Sequence, residues 1–356
     1  MTCSILGLGT ALPDETISQE ESLTLSRDVI CEDKRQRRLI SALYRKSGVE
    51  TRHIVVPWQT GYAWSQLNAD SGRGAGTELR MQTYATYAPP LAATASRSAI
   101  EHAGVDAASI THLVTVSCTG FVSPGVDAHL ISELGLPPTT QRVNVGFMGC
   151  HAAINGLRVA RGLIAADPQA TVLLAAVELC SLHYRMKWDD EAIIGNALFA
   201  DGAAAVVLQQ SSEQNEIASL VDTASCYIPD SLDQMSWNVG DFGFDMKLSA
   251  EIPDSICQHL RPFMEQWLGT HDLTIDQIAD WVIHPGGPRI LTAAQQTLGL
   301  ADADLQHSRE VLRTCGNMSS PTVLFILEKA MQAERSGPRV MLGFGPGLVA
   351  EVALLH

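Results

Sequence analysis

The chain has 356 residues, a formal net charge of −15, 46% hydrophobic residues and 18% charged residues. That composition supports a large core and excludes a disordered chain, and so acidic a protein is poorly suited to wrapping nucleic acid or lying on an anionic membrane. At ~150 residues per domain, the length suggests two domains or one large duplicated one.

In chain order, SILGLG at 4–9 reads as a short buried strand ended by glycine and then Pro13. Residues 17–46 are polar with a helical period. PPLAATASRSAIEHAG at 89–104 predicts an Ala-rich helix stopped by Gly104. THLVTVSCTG at 111–120 is a β-branched strand, and QRVNVGF at 141–147 leads into Gly149-Cys150. HAAINGLRVARGLIAAD at 151–167 is an apolar helix that closes before Pro168, followed by buried strands at 171–180 and 201–210. The polar break SSEQNE at 211–216 places a boundary there and gives two halves, 1–213 and 214–356. Beyond it come IASLVDTASCYI, a helix after Pro253, the strand ADWVIHPGG, a further helix, a helix from Ser320, and two strands within 339–355 joined by a Gly-Pro turn. Two halves of similar rhythm predict an α/β protein built by duplication, although no clean sequence repeat is visible.

The first cationic side chain is Arg27, so the start lacks the charged-then-apolar form of a secretory leader. The longest apolar stretch, around 172–180, falls short of the roughly 20 residues that a membrane span needs. The eight cysteines, at 3, 31, 118, 150, 180, 226, 257 and 315, form no CxxC pair and read as small core residues in a reducing compartment. The expectation is a cytoplasmic protein with no membrane span.

Most candidate sites have a plainer reading. GLGTAL at 7–12 is similar to a dinucleotide-binding loop, but the third glycine is missing and Pro13 falls where the phosphate-binding helix would be under way. A strand ending in a turn accounts for it. Cys180-x-x-His183 has no second pair at zinc spacing, so no metal is expected. Gly149-Cys150-His151 is different. The cysteine follows a strand and opens a helix, where unpaired N–H groups and the helix dipole favour a thiolate; the alternative is one buried cysteine among eight. A cysteine nucleophile needs a proton partner and an oxyanion donor. His284 stands at the end of a strand before a Gly-rich turn, and Asn317 stands in a turn before a helix, with Ser320 suited to the cap and Pro321 to the first helical position. A core histidine and an ordinary turn asparagine are their alternatives. Seven cations lie between Lys34 and Arg52 against the single acid Glu50, which suits either phosphate binding or a solvated helix face.

Together, MGCHAAINGLRVA around Cys150, NALFADGAAAVV at 196–207, IHPGGPRIL at 283–291, GNMSSPTVLFIL at 316–327 and GFGPGL at 343–348 are specific. In this order the chain resembles the type III polyketide synthases, the chalcone synthase-like branch of the thiolase superfamily, over nearly its whole length.

The resemblance implies a thiolase-like αβαβα layered fold, a homodimer, and the catalytic set Cys150, His284 and Asn317. It implies malonyl-CoA and an acyl-CoA starter as substrates, with no metal and no organic cofactor beyond the CoA thioesters. Cys118, Thr119, Cys180, His183 and Ser319 match cavity positions, Phe199 matches a gatekeeping phenylalanine, and the loop holding Phe344 and Gly345 matches one that shapes the cavity. Of the three plant CoA-binding cations only Lys46 matches; the others become Leu39 and Ala42, and Arg289 is a candidate substitute. His151 replaces the plant phenylalanine after the nucleophile, Ser123 replaces a methionine that crosses the plant dimer, and Phe244 is a candidate second gatekeeper. ELCSLHY at 178–184 resembles bacterial synthases that use fatty acyl starters, so an alkylpyrone or alkylresorcinol is expected. Its rival is a small phenolic made only from malonyl-CoA, which the bulk and polarity of His183 favour. A ketoacyl synthase III-like enzyme working with an acyl carrier protein is the alternative outside the branch.

Overall fold

Strong β-branched and alanine-rich runs build a sheet whose inner strands are buried on both faces. The computed structural model describes residues 3–68, 72–190, 193–211, 216–333 and 335–356. Its strands are β1 (Cys3–Ala11), β2 (Thr16–Ser18), β3 (Thr51–His53), β4 (His112–Ser117), β5 (Gln141–Gly146), β6 (Val172–Leu179), β7 (Asp201–Gln210), β8 (Ala218–Tyr227), β9 (Met235–Gly240), β10 (Gly243–Leu248), β11 (Asp280–Ile283), β12 (Arg339–Gly345) and β13 (Val349–Leu355). Its helices are α1 (Gln19–Ile30), α2 (Lys34–Lys46), α3 (Trp58–Ser65), α4 (Thr77–Ala103), α5 (Val126–Leu134), α6 (Ala152–Ala166), α7 (Ile193–Leu198), α8 (Ile252–Gly269), α9 (Pro288–Leu298), α10 (Gln306–Cys315) and α11 (Thr322–Gln332).

Nine strands form one sheet in the order β11-β12-β13-β8-β1-β7-β6-β4-β5. The duplication invisible in the residues is plain in the pairing. In the first half β1 pairs antiparallel with β7, β7 antiparallel with β6, and β6 parallel with β4. In the second half β8 pairs antiparallel with β13, β13 antiparallel with β12, and β12 parallel with β11. The halves meet where β1 and β8 run antiparallel, Cys3 opposite Leu220.

Three apolar clusters define the layers. A central one joins Leu157 and Ile164 of α6 with Leu324 and Leu327 of α11 and with strands of both halves. A second packs Ala92, Ala95 and Ala99 of α4 on the first half, and a third packs Ile256, Leu260 and Met264 of α8 on the second. Two helices are thus sandwiched between sheet faces whose other sides carry helices, the αβαβα thiolase-like arrangement.

Local rules misplace three features. The helix expected to start at residue 89 begins at Thr77, with Pro89 and Pro90 inside it. The prolines remove two rungs of the backbone ladder, but Ala88, Ala92, Ala93 and Ala95 are buried against the sheet and hold the helix through them. The helical run expected at 17–46 is broken into β2, α1 and α2, with Asp33 capping α2 through the Gln36 N–H. Ser320 does not cap α11; its hydroxyl donates to Glu178 at 2.6 Å. The half boundary between 213 and 214 lies outside the described residues.

Candidate active site

Cys150 sits in a single tight turn, Gly149–His151, between β5 and α6. Gly149 has φ +78, and a Cβ there would stand 2.4 Å from Cδ of Pro346, so only glycine brings the nucleophile loop against the β12–β13 turn. Burial pushes the Cys150 thiol up to about 11, while the side chains of Ser319 and Asn317 pull it back. Desolvation thus opposes the thiolate that the start of a helix would favour.

Asn317 follows α10. Its backbone N–H donates to the Leu198 carbonyl at 2.8 Å, and its carbonyl accepts from Ala200 at 2.9 Å, fixing it beside Phe199. Its Oδ1 accepts the Ser319 N–H at 2.8 Å, so Nδ2 is turned the other way. That Nδ2 is buried with no hydrogen-bond partner of regular geometry among the described residues, although it stands near enough to Cys150 to favour the thiolate. Ser319, at φ +57, bends the chain sharply enough to make this possible, and its hydroxyl lies 3.4 Å from the Cys118 sulfur.

His284 leaves β11 with its backbone N–H on the Leu342 carbonyl at 2.8 Å. Among the described residues both of its ring nitrogens are buried without a partner, and burial, with a smaller effect of the neighbouring His151, pushes its pKa down to about 3. A buried imidazole with two idle nitrogens, and an amide with an idle NH2, are costly for a fold to keep and suited to atoms that arrive with a substrate.

Of the three, Cys150 lines a cavity of about 630 Å³, its open mouth included; His284 and Asn317 are buried and are not part of its lining. Cys118, Thr119, Cys150, Cys180, His183, Phe199 and Ser319 line it, as does Phe244. Phe244 stacks on the His183 ring at 4.2 Å and on Phe121 at 5.9 Å. Phe344 and Gly345 do not line the cavity. Phe344 points into the core of the second half, Gly345 abuts the His151 ring, and Pro346 is the loop residue on the wall. Lys46 and Arg289 are exposed and lie outside the lining; a Cβ on Gly48 would be 3.4 Å from Pro288 Cγ, so the end of α2 and the start of α9 lie side by side.

His183 is held on both ring nitrogens. Nε2–H donates to the Thr119 carbonyl at 2.6 Å and Nδ1 accepts from the Phe244 N–H at 2.9 Å. Burial pushes its pKa down to about 3, so it is a neutral wall, not an acid or base.

Sequence reading missed two residues of weight. Trp237, on the β9–β10 hairpin, lines the cavity edge-on to His183 and Phe244. Alternating residues around an Asp-Phe-Gly turn could have signalled that hairpin. Glu178, fully buried, accepts from the N–H groups of Cys118 and Thr119 and from the hydroxyls of Thr119 and Ser320. A lone acid in the run VLLAAVELC was its only signal. Among the described residues no cluster of three His, Cys, Asp or Glu side chains could hold a metal ion, and no helix is long and apolar enough to cross a membrane.

Comparison with known proteins agrees with this architecture. The chalcone and stilbene synthase N-terminal domain matches residues 2–211, and the C-terminal domain of the same synthases matches 219–356. A 1,3,6,8-tetrahydroxynaphthalene synthase of Streptomyces peucetius subsp. caesius is 34% identical over 363 residues, covering 99% of this chain and 93% of that protein. The alpha-pyrone synthesis polyketide synthase-like Pks18 of Mycobacterium tuberculosis is 32% identical over 355 residues, covering 98% and 89%. The crystal structure of PKS-I from the brown alga Ectocarpus siliculosus superposes with a TM-score of 0.91 at 30% identity, covering 99% of this chain and 98% of that one. The fold is that of the condensing enzymes with a thiolase-like core. Within that class the chain belongs to the chalcone and stilbene synthases, the type III polyketide synthases. It is an acyltransferase working by iterative condensation and cyclisation, and a ketoacyl synthase III-like identity is not favoured.

Proposed function

We propose that Cys150, His284 and Asn317 condense malonyl-CoA units onto a small acyl-CoA starter, or onto malonyl-CoA itself, and release a compact aromatic or pyrone product. The observation that carries the reading is the idle Nδ2 of Asn317 beside the Cys150 thiol, with its Oδ1 occupied so that only N–H bonds face the substrate.

Cys150 gives its proton to His284 as its sulfur attacks the starter thioester. The C–S bond to CoA breaks, and the CoA thiolate takes the proton from His284. Malonyl-CoA then loses carbon dioxide, and the electron pair becomes an enolate whose oxygen receives N–H bonds from Asn317 Nδ2 and His284. The enolate carbon attacks the Cys150 acyl group, the thiolate leaves, and the lengthened chain returns to the sulfur for another cycle. In each further cycle the CoA thiolate released as the chain returns to Cys150 takes a proton from solvent, and the proposal needs no cofactor beyond the CoA thioesters.

The size of the product follows from the wall. His183, Trp237 and Phe244 are three rings held by backbone hydrogen bonds and mutual contact, and they fill one side of the cavity wall. This supports the all-malonyl rival over a fatty acyl starter, in line with the Streptomyces relative being a tetrahydroxynaphthalene synthase. Lys46 and Arg289, exposed cations on helix ends that lie side by side, are proposed to meet the CoA phosphates.

The sheet ends on β5, whose outer edge pairs with no strand among the described residues and is flanked by exposed Phe121, Phe147 and Met148. An open edge strand beside apolar side chains supports a homodimer closed across it. Eight free cysteines support a reducing, cytoplasmic setting.

The test is incubation with labelled malonyl-CoA and acyl-CoA starters of graded length, followed by mass analysis of products. Products from malonyl-CoA alone or from short starters are expected. Efficient use of starters of twelve or more carbons would overturn the size reading. Intact mass should show acyl transfer to the wild-type chain and none to Cys150→Ala; labelling of that variant would remove the nucleophile assignment.

A further inference from the structure

His151, directly after the nucleophile, is only 1% exposed. Its Nδ1 lies 2.7 Å from Oδ1 of Asn155, one turn along α6. A carbonyl oxygen only accepts, so Nδ1 carries the proton and Nε2 keeps its lone pair. That Nε2 is buried with no partner among the described residues. The ring occupies space that two glycines leave open: a Cβ on Gly345 would stand 2.4 Å from Nε2, and one on Gly343 would stand 3.1 Å from the His151 Cβ. Gly343 follows Leu342, whose carbonyl anchors the His284 backbone. The His151 side chain and the His284 backbone therefore both meet β12, the first at Gly343 and Gly345 and the second at Leu342, and among the described residues three of the four ring nitrogens have no partner. When His284 takes the Cys150 proton it becomes an imidazolium with two N–H donors. One faces the reacting atoms; the other needs an acceptor in a buried site.

We propose that His151 is a positioning residue for His284, its Nε2 lone pair receiving the second N–H of the His284 imidazolium while the first faces Cys150. The inference rests on the reading of His284 as the proton partner of Cys150. The S–H bond of Cys150 breaks and an N–H bond of His284 forms; His151 gains a hydrogen bond, keeps its own proton on Nδ1, and changes no covalent bond. The charged and titratable groups around it are His284, Cys150, Glu351 of β13 and Arg158 of α6, and the last two form an ion pair with each other. Burial holds His151 below its ordinary value despite Glu351, which keeps the lone pair available at neutral pH.

The test is the pH dependence of Cys150 alkylation by iodoacetamide, read by intact mass, in the wild type, His151→Phe, His151→Gln and His284→Ala, with melting curves to confirm folding. His151→Phe should move the alkylation midpoint up by about one pH unit, so that alkylation at pH 7 slows about tenfold, with the KM for malonyl-CoA unchanged. His151→Gln, whose amide oxygen can accept, should recover most of that loss. A folded His151→Phe protein with the wild-type profile overturns the role of His151, as does a Gln variant no better than Phe. If His284→Ala also keeps the wild-type profile, the pairing of Cys150 with His284 is wrong and the inference falls with it; if His284→Ala moves the profile and His151→Phe does not, only the inference falls.

Discussion

The indole N–H of Trp237 donates to the carbonyl of Cys118 at 2.7 Å, tying the β9–β10 hairpin to the wall that holds the nucleophile pocket. The ring is further confined edge-on by His183 at 5.3 Å and by Phe244 at 5.7 Å. Trp237→Gly removes the largest side chain of this wall and leaves Cys150, His284 and Asn317 untouched. The expected outcome is a gain in kcat/KM of about tenfold for starters longer than the wild type accepts, or products with additional malonyl units. Product masses and a starter series measure it. An unchanged starter range would mean the cavity ends elsewhere.

Asn317 can serve only as a donor, because its oxygen is held by the Ser319 N–H. Asn317→Ala should therefore lower kcat for malonyl-CoA decarboxylation by about 10²–10³, the cost of one donor to a developing oxyanion, or about 3–4 kcal/mol. Asn317→Asp, close in shape but without the N–H bonds, should fare no better. Release of labelled carbon dioxide measures both. Full decarboxylation by either variant would remove Asn317 from the chemistry.

The three catalytic candidates were legible because each stands where a strand or helix gives way to a turn, and such junctions are marked by Gly and Pro: Gly149 beside Cys150, Pro285 after His284, Gly316 before Asn317. The cavity wall was less legible because it is assembled by parity and by distance. On β12 neighbouring residues face opposite ways, so Phe344 enters the core although it lies in the conspicuous loop run, and Pro346 takes the wall instead. Trp237 reaches the site from a hairpin outside the main sheet, 119 residues from the Cys118 carbonyl that it binds. The α4 start failed for a different reason: the rule for prolines describes an isolated helix, and burial of the alanines around Pro89 and Pro90 overrides it.

Lys46 and Arg289 are the residues proposed to meet the CoA phosphates. Lys46→Glu and Arg289→Glu should raise the KM for malonyl-CoA, about tenfold each at low salt, with kcat nearly unchanged, because neither touches the reacting atoms. Added salt should shrink the difference from the wild type. Steady-state kinetics at two ionic strengths decide this. A fall in kcat at constant KM would place these side chains in some other role.

The last expectation concerns acid. His183 donates from Nε2 to Thr119 and accepts at Nδ1 from the Phe244 N–H, so a second proton would set two donors face to face. Its folded-state pKa, pushed down to about 3 by burial, lies below its ordinary 6.5. Between these values the unfolded chain binds a proton that the folded chain refuses, so this histidine's contribution to stability is intact above 6.5 and is lost as pH falls toward 3. From pH 7 to pH 5 the loss from this one residue is about 2 kcal/mol. The raised carboxyls of Asp201 and Glu178 act in the opposite direction, so the wild-type curve alone does not isolate it. His183→Gln does, since an amide can donate to Thr119 and accept from Phe244 without titrating. Whatever constant offset the variant carries, its stability relative to the wild type should improve by about 2 kcal/mol between pH 7 and pH 5 in denaturant melts. Parallel curves would show that His183 takes up its proton as readily in the fold as out of it, and that the wall it forms with Phe244 and Trp237 is looser than these bonds imply.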